Sequence, residues 1–313
     1  MKARSTPVVL AWWVLTLAVG VAVAGFATEL GTAMDRLGTA EPRWLLAAVV
    51  LNLAGPVFQA RAWHHFLPRD SSVSRSRLLE TAGAMAAVAN SVPLLMGGLA
   101  TGVQLLATRG GVGHSRALAV AALDQLAEGV AKVALLVTVL VWAPIPLPGQ
   151  AVGGVFVVGV AGLGLGLLWA RRRDAGGSGI LARWARSLDA LDDPGRLARG
   201  MGFILATKAA EVLAVVAVLQ ALAPELPAWG SALALLAVNL ATIVGLTPGN
   251  LGIYEGAAFA AWTLAGAEAE TALSLALAQH GAYLAASLGG GWLLATFAGR
   301  DPGLEKERGP PGP

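Results

Sequence analysis

The sequence predicts an all-α polytopic membrane protein: about six spanning helices plus two re-entrant helical hairpins in an inverted repeat. Three observations predict it. Only 13% of the 313 residues are charged and 56% are hydrophobic, roughly half the charge of a soluble domain. The apolar residues fall in long runs, two of them overlong and broken by Pro and Gly. The Lys and Arg between the runs favour one side of the membrane. This composition excludes disorder and an ordinary soluble enzyme. The absence of Cys excludes a disulfide scaffold, thiol chemistry and Cys-ligated metal. Positive-inside topology explains the net charge of +3 better than nucleic-acid binding does.

The runs justify the elements in order. Met-Lys-Ala-Arg precedes the run 8–27, which is long enough to span and reads as a helix that stays rather than a cleaved leader. Runs at 44–66, 117–142, 152–170, 202–223 and 271–297 have the length of ordinary spans. The run 78–107 is interrupted by Asn90, Pro93 and Gly97-Gly98, and the run 231–265 by Pro248-Gly249-Asn250 and Gly252. Pro removes a backbone donor and Gly weakens a helix interior. Each long run is therefore either a kinked span or a pair of half-helices.

Charge separates these options. The Lys2/Arg4 end is expected in the cytoplasm, and the loop carrying Glu29, Asp35 and Glu41 outside. Arg61, Arg69, Arg75 and Arg77 return the chain to the inside, and Arg171-Arg172-Arg173 with Arg183, Arg186, Arg196 and Arg199 do so again. Run 78–107 then begins and ends inside, while run 231–265, between Glu225 and Glu268/Glu270, begins and ends outside. Of the 22 Lys and Arg, about 18 fall on the cytoplasmic side of this scheme. The chain divides into a first membrane half over 1–142 and a spanning helix over 143–170. A cytoplasmic linker follows over 171–200, then the rest of the second half over 201–299 and a disordered tail over 300–313. Within the linker, Ile180, Leu181, Trp184, Leu188 and Leu191 have the spacing of an amphipathic interfacial helix. Trp44, Trp63, Trp142, Trp169, Trp229 and Trp292 stand near run ends, as an aromatic belt requires.

A few ionisable groups are left at membrane depth, where each is expensive and should face a protein interior or a wet cavity. Asp124, Glu128 and Lys132 share one helix face. Lys208 and Glu211 form a second pair. Each set reads either as a polar substrate pathway or as a structural ion pair. Glu255 follows the Pro248–Gly252 break by one turn and could cap the new helix or carry a proton. Arg61 suits a headgroup contact at the cytoplasmic face. His280 reads as an isolated packed polar group, and no metal site, cofactor fingerprint or nucleophile motif is evident.

These residues resemble the integral-membrane region of lysylphosphatidylglycerol synthases and the wider flippase-like, hopanoid-associated membrane group. Thr247-Pro248-Gly249-Asn250-Leu251-Gly252-Ile253-Tyr254-Glu255 is similar to a T-P-G-G-x-G-x-x-E pattern. Asn90-x-x-Pro93 with Gly97, Arg61-x-Trp63, and Asp124 to Glu128 against E-R-x-x-D add to it. The chain departs where the family carries cations or acids: Leu95, Gly98, Thr101 and Gln125 stand there instead. The phosphate-pairing cations are thus largely missing from the first half.

The charge pattern puts both termini in the cytoplasm, and the resemblance implies a multi-pass protein of the bacterial inner membrane. It implies a flippase-like transporter that moves a lipid or lipid-linked molecule between leaflets. No cofactor and no headgroup synthesis are expected, because no aminoacyl-transferring domain follows. The expected partners are membrane lipids and a lipid substrate of unspecified headgroup, without nucleic acid. A homo-oligomer or a biosynthetic enzyme partner is left open. The rival readings are a membrane-embedded headgroup-modifying enzyme and a non-catalytic assembly partner of a lipid or glycan biosynthetic enzyme. The substrate pathway is expected to run past Asn90, Pro93, Gly97, Gly98, Asp124, Glu128, Lys132, Lys208, Glu211, Pro248, Gly249, Asn250, Gly252 and Glu255.

Overall fold

The computed structural model describes residues 27–91, 97–144, 149–173, 184, 186–243 and 247–297. Among the described residues the regular structure is helical and includes no strand. In chain order the helices are α1 (Ala27–Gly38), α2 (Pro42–Phe66), α3 (Arg75–Ser91), α4 (Gly97–Thr108), α5 (His114–Trp142), α6 (Gly149–Arg173), α7 (Pro194–Leu222), α8 (Trp229–Ala241), α9 (Ile253–Leu264), α10 (Ala269–Leu284) and α11 (Gly291–Phe297). A π-helical turn, Ala285–Gly290, joins the last two into one continuous rod. Three of these helices, α2, α5 and α7, are long and apolar enough to cross a membrane.

Helices α2 and α7 form the central antiparallel pair. Both begin on an acidic residue followed by Pro, whose fixed φ suits the first helical turn. The Glu41 amide donates to the Ala221 carbonyl at 3.3 Å, joining the start of α2 to the end of α7. At the other end, the Arg196 guanidinium donates to the Leu67 carbonyl. Asp193 caps α7 by accepting from the Arg196 amide at 3.1 Å, and it also pairs with Arg69 at 2.6 Å. That amide bond holds the Asp193 carboxyl below the usual carboxylate range.

The two broken runs enter from opposite ends of this pair. Helices α3 and α4 pack side by side, and Arg109 bridges to Glu80 at 3.8 Å across their open end. That end lies by the close of α2, where Arg116 also pairs with Asp70 at 2.7 Å. Helices α8 and α9 likewise form a hairpin. A Cβ on Gly230 would stand 2.8 Å from the Trp262 ring and 2.9 Å from Ala265, so the start of α8 lies on the end of α9. This open end follows α7, beside the start of α2. The turn of the second hairpin meets the end of α3, where a Cβ on Gly249 would lie 3.3 Å from the Asn90 carbonyl. The contacts also match in pairs: α3 lies on α2 and α8 on α7; α5 lies on α7 and α10 on α2; α4 lies on α5 and α9 on α10.

Several expectations need correction. Helix α1 occupies the segment after Ala27 that was expected to be a loop. Helix α7 starts at Pro194 rather than Gly202, so Arg196 and Arg199 belong to its first turns. The start of the expected interfacial helix, with Ile180 and Leu181, lies outside the described residues, and Trp184 within it is helical. Leu188 and Ala190 are buried, and Trp184 and Leu191 pack on the same apolar cluster. Trp142, Trp169 and Trp292 are exposed as a belt requires, but Trp63 is buried.

The core divides into two apolar clusters. One gathers Leu135 and Val139 of α5, the Ala214–Leu219 stretch of α7 and the second hairpin. The other gathers Val120 and Leu123 of α5, Ile204 of α7 and the first hairpin. Close packing of these side chains holds the helices together, because lipid tails are as apolar as the side chains and van der Waals fit rather than removal from water decides association within a bilayer. Between the clusters lies a polar layer.

Candidate functional site

Helix periodicity builds this layer from three helices. Asp124, Glu128 and Lys132 recur every four residues on α5, so one face carries all three. Helix α7 brings Lys208 and Glu211 against that face. Lys208 Nζ lies 2.7 Å from Glu211 Oε2 and 3.4 Å from Glu128 Oε2, and donates to Asn239 Oδ1 of α8 at 3.2 Å. Lys132 Nζ is 3.8 Å from Glu128. The two expected pairs are therefore one network of two carboxylates and two ammonium groups. Such a network is tolerable at low dielectric only because its members satisfy one another.

Asp124 stands apart from the lysines. It is 5% exposed and accepts from Trp63 Nε1 at 3.0 Å and Gln59 Nε2 at 3.4 Å, both on α2. Gln59 and Trp63 are one turn apart, so a single face of α2 presents both donors. The same face carries Asn52, Gly55 and Pro56. Pro56 has no N–H to give the Asn52 carbonyl, which adds an acceptor at this level.

The second hairpin turns through a short 3-10 segment, Pro248–Asn250. Gly249, Asn250 and Gly252 all have positive φ, at 59°, 58° and 82°. Gly and Asn are the residues that reach this region most cheaply. Thr247 Oγ1 donates to the Leu251 carbonyl at 2.8 Å. Glu255 Oε2 accepts from the Gly252 amide at 2.6 Å, which closes the start of α9. The chain's own carboxylate thus occupies this helix start.

Glu255 Oε1 also meets His280 Nδ1 at 2.7 Å, so His280 is not the isolated group expected. The His280 ring stacks on Tyr254, with centroids 4.0 Å apart. Gln279 Nε2 donates to the Tyr254 hydroxyl at 3.1 Å. In the first hairpin, Asn90 Nδ2 donates to the Tyr283 hydroxyl at 3.2 Å and to the Ala86 carbonyl at 2.9 Å. Tyr283 of α10 therefore ties the tip of α3 to the second half.

Two cavities open onto this layer. One, of about 100 Å³, is lined by Asn52, Glu211, Asn239, Asn250, Tyr254, Gln279 and Tyr283 with apolar residues of α7 and α8. The other, of about 210 Å³, is lined by Asn52, Gln59, Asn90, Glu128, Thr207, Glu211, Tyr283 and Ser287 among others. Asn52, Glu211 and Tyr283 form the wall that both share. Ala286 and Ser287 reach the second cavity from the π turn, a feature common at functional sites.

The expected pathway residues sort as follows. Asn90, Glu128, Glu211 and Asn250 line the cavities, and Lys208 joins Glu128 to Glu211 from behind. Gly249 forms the tip contact, Gly252 and Glu255 hold the start of α9, and Pro248 opens the 3-10 segment. Gly97 and Gly98 begin α4, and Pro93 lies outside the described residues. Arg61 is exposed on α2 and lines neither cavity. Sequence reasoning missed Asn52, Gln59, Asn239, Gln279 and Tyr283. Asn52 and Gln59 are seven apart in one apolar run, which already placed both on one helix face.

Among the described residues no cluster of three or more His, Cys, Asp or Glu could hold a metal ion. No curated protein and no solved structure matches the chain. The family model described as the lysylphosphatidylglycerol synthase TM region matches residues 13–291, nearly the whole length, including every helix that builds the polar layer. The chain therefore belongs to the lysylphosphatidylglycerol synthase transmembrane-region family.

Proposed function

We propose that this chain moves a lipid or lipid-linked molecule between the leaflets of the bacterial inner membrane. The carrying observation is the buried ion network beside two cavities, near where the end of α3 meets the turn of the second hairpin. Ionisable groups at membrane depth serve a path for a polar cargo better than they serve stability. The headgroup would cross beside Glu128 and Glu211 while the acyl chains stay in lipid. A rocking of one half against the other, with the tips as the seal, would open the cavities to each side in turn.

The hairpins are read as re-entrant. Helices α8 and α9 have 13 and 12 residues, so each is about 18–20 Å long. The hydrocarbon core is about 30 Å thick. Each arm of the second hairpin is thus too short to cross alone, which suits a hairpin that turns back inside the bilayer. The paired contacts of α2 with α7, of the two hairpins, and of α5 with the α10–α11 rod support an inverted repeat. Both termini then lie in the cytoplasm. The chain has no Cys, so single cysteines report sidedness without background. Glu80→Cys and Arg109→Cys are expected to label from the cytoplasmic side only. Trp229→Cys and Glu268→Cys are expected to label from the outside only. Labelling of either pair from opposite sides would overturn that hairpin.

Catalysis is the weaker reading. The best acid–base pair, Glu255 and His280, lines neither cavity, and Glu255 is committed to the Gly252 amide. Labelled-lipid flipping in proteoliposomes tests the proposal. The protein should accelerate flipping of at least one lipid class over empty vesicles, and Glu211→Gln should reduce that rate about tenfold or more. Folded protein with no activity across a panel of lipids sinks it.

A further inference from the structure

The chemistry of the cavity wall narrows the headgroup. The lining residues of both cavities include two charged side chains, Glu128 and Glu211, and no Lys, Arg or His among the described residues. Residues 92–96 and 244–246 contain no charged side chain either. Lys208 and Lys132 lie behind the two carboxylates and already balance them. Asp124 is held by Trp63 and Gln59 and lines neither cavity.

The rest of the polar wall is amide. Asn52, Asn239, Asn250 and Gln279 surround the smaller cavity. Gln279 is 3% exposed, and its Oε1 has no hydrogen-bond partner; Asn250 Oδ1 is buried and likewise unpartnered. Leaving such atoms unpaired at depth costs about 1–3 kcal/mol each, so a ligand that satisfies them gains from doing so.

We infer that the group seated here is an uncharged polyhydroxyl headgroup, a sugar carried on a lipid, rather than a phosphate or an ammonium group. The inference rests on the transport reading for its site and narrows the cargo. A phosphate only accepts hydrogen bonds, so it would leave both amide oxygens unpaired and would face two carboxylates with no cation on its side. An ammonium group only donates, and it would add an unbalanced charge to a network already neutral. A hydroxyl both gives and takes, as a side-chain amide does. A ring of hydroxyls can donate to Asn250 Oδ1 and Gln279 Oε1 while accepting from neighbouring amide N–H groups.

The full chain in phosphatidylcholine nanodiscs provides the test. The nanodiscs would contain monoglucosyl diacylglycerol, phosphatidylglycerol or a cationic lipid with a primary ammonium headgroup at equal mole fraction. The glucosyl lipid is expected to raise the thermal unfolding midpoint by about 4 °C or more through binding to the folded state. The other two lipids are expected to leave it near the phosphatidylcholine value. Gln279→Leu should lose at least half of the rise. So should Asn250→Gly, which keeps a residue tolerant of positive φ. Each rise is read against the variant's own glycolipid-free midpoint, so a less stable variant still reports. A larger rise with the anionic or cationic lipid, no rise with any, or a glucosyl rise intact in both variants overturns the inference. Binding without flipping would keep it and remove the transport reading; flipping of a charged lipid alone would do the reverse.

Discussion

Lys208→Met is expected to destabilise the protein by about 3–5 kcal/mol, lowering its unfolding midpoint in mild detergent by about 10 °C. Lys208 is 6% exposed and joins three helices through Glu128, Glu211 and Asn239. Removing it leaves two carboxylates close together, with Lys132 the remaining cation of the network at 3.8 Å from one of them. The cost lies in the buried charge left behind rather than in the lost contact. The double variant Lys208→Met with Glu211→Gln removes one of those charges and should recover a large part of the midpoint. Lys208→Arg should recover less, because a planar fork does not fit a position built for a compact ammonium with three donors. If the double variant is no more stable than Lys208→Met, the network is not held together by mutual charge compensation.

The network was half legible in the sequence. Helical spacing alone set Glu128 beside Lys132 and Lys208 beside Glu211. The join between them, Lys208 to Glu128, depends on how far α7 slides along α5, and that is decided by packing between the apolar clusters. Trp63 shows the same limit. An indole N–H near the end of an apolar run fits an interface belt equally well, and the bond to Asp124 is visible only once α2 and α5 are docked. The break in the second long run was the most legible feature, because Pro248, Gly249 and Gly252 cannot continue a helix cheaply. The start of α7 was encoded in Asp193-Pro194, a cap followed by a first-turn proline, but a reading led by apolar runs began eight residues too late. The π turn at Ala285–Gly290 left no pattern to read, since its residues suit an α-helix equally well.

The crossing of α3 over α11 yields the second large effect. A Cβ on Gly83 would stand 2.6 Å from the Leu294 Cβ and 2.8 Å from the Gly291 carbonyl, while a Cβ on Gly291 would stand 2.8 Å from the Gly83 carbonyl. Both obstacles include backbone, so no side-chain rotation relieves them and the helices must part. Gly83→Ala and Gly291→Ala are each expected to lower stability by about 1–3 kcal/mol. Their sum should overshoot the double variant, because one separation accommodates both methyls. Gly281→Ala is the matched control. Nothing lies within 4 Å of its Cβ position, so it should be neutral or gain about 0.5–1 kcal/mol from better helix propensity. On the proposed transport reading the parting also affects flipping. Helix α3 presents Asn90 to Tyr283 at 3.2 Å, and α11 continues the rod that bears Tyr283. A shift at Gly83 therefore reaches the tip contact two turns away, and flipping should fall in Gly83→Ala at a temperature where the protein is still folded. Unchanged flipping there would separate the tip contact from transport, and Gly83→Ala as stable as Gly281→Ala would mean that the crossing has room for a methyl group.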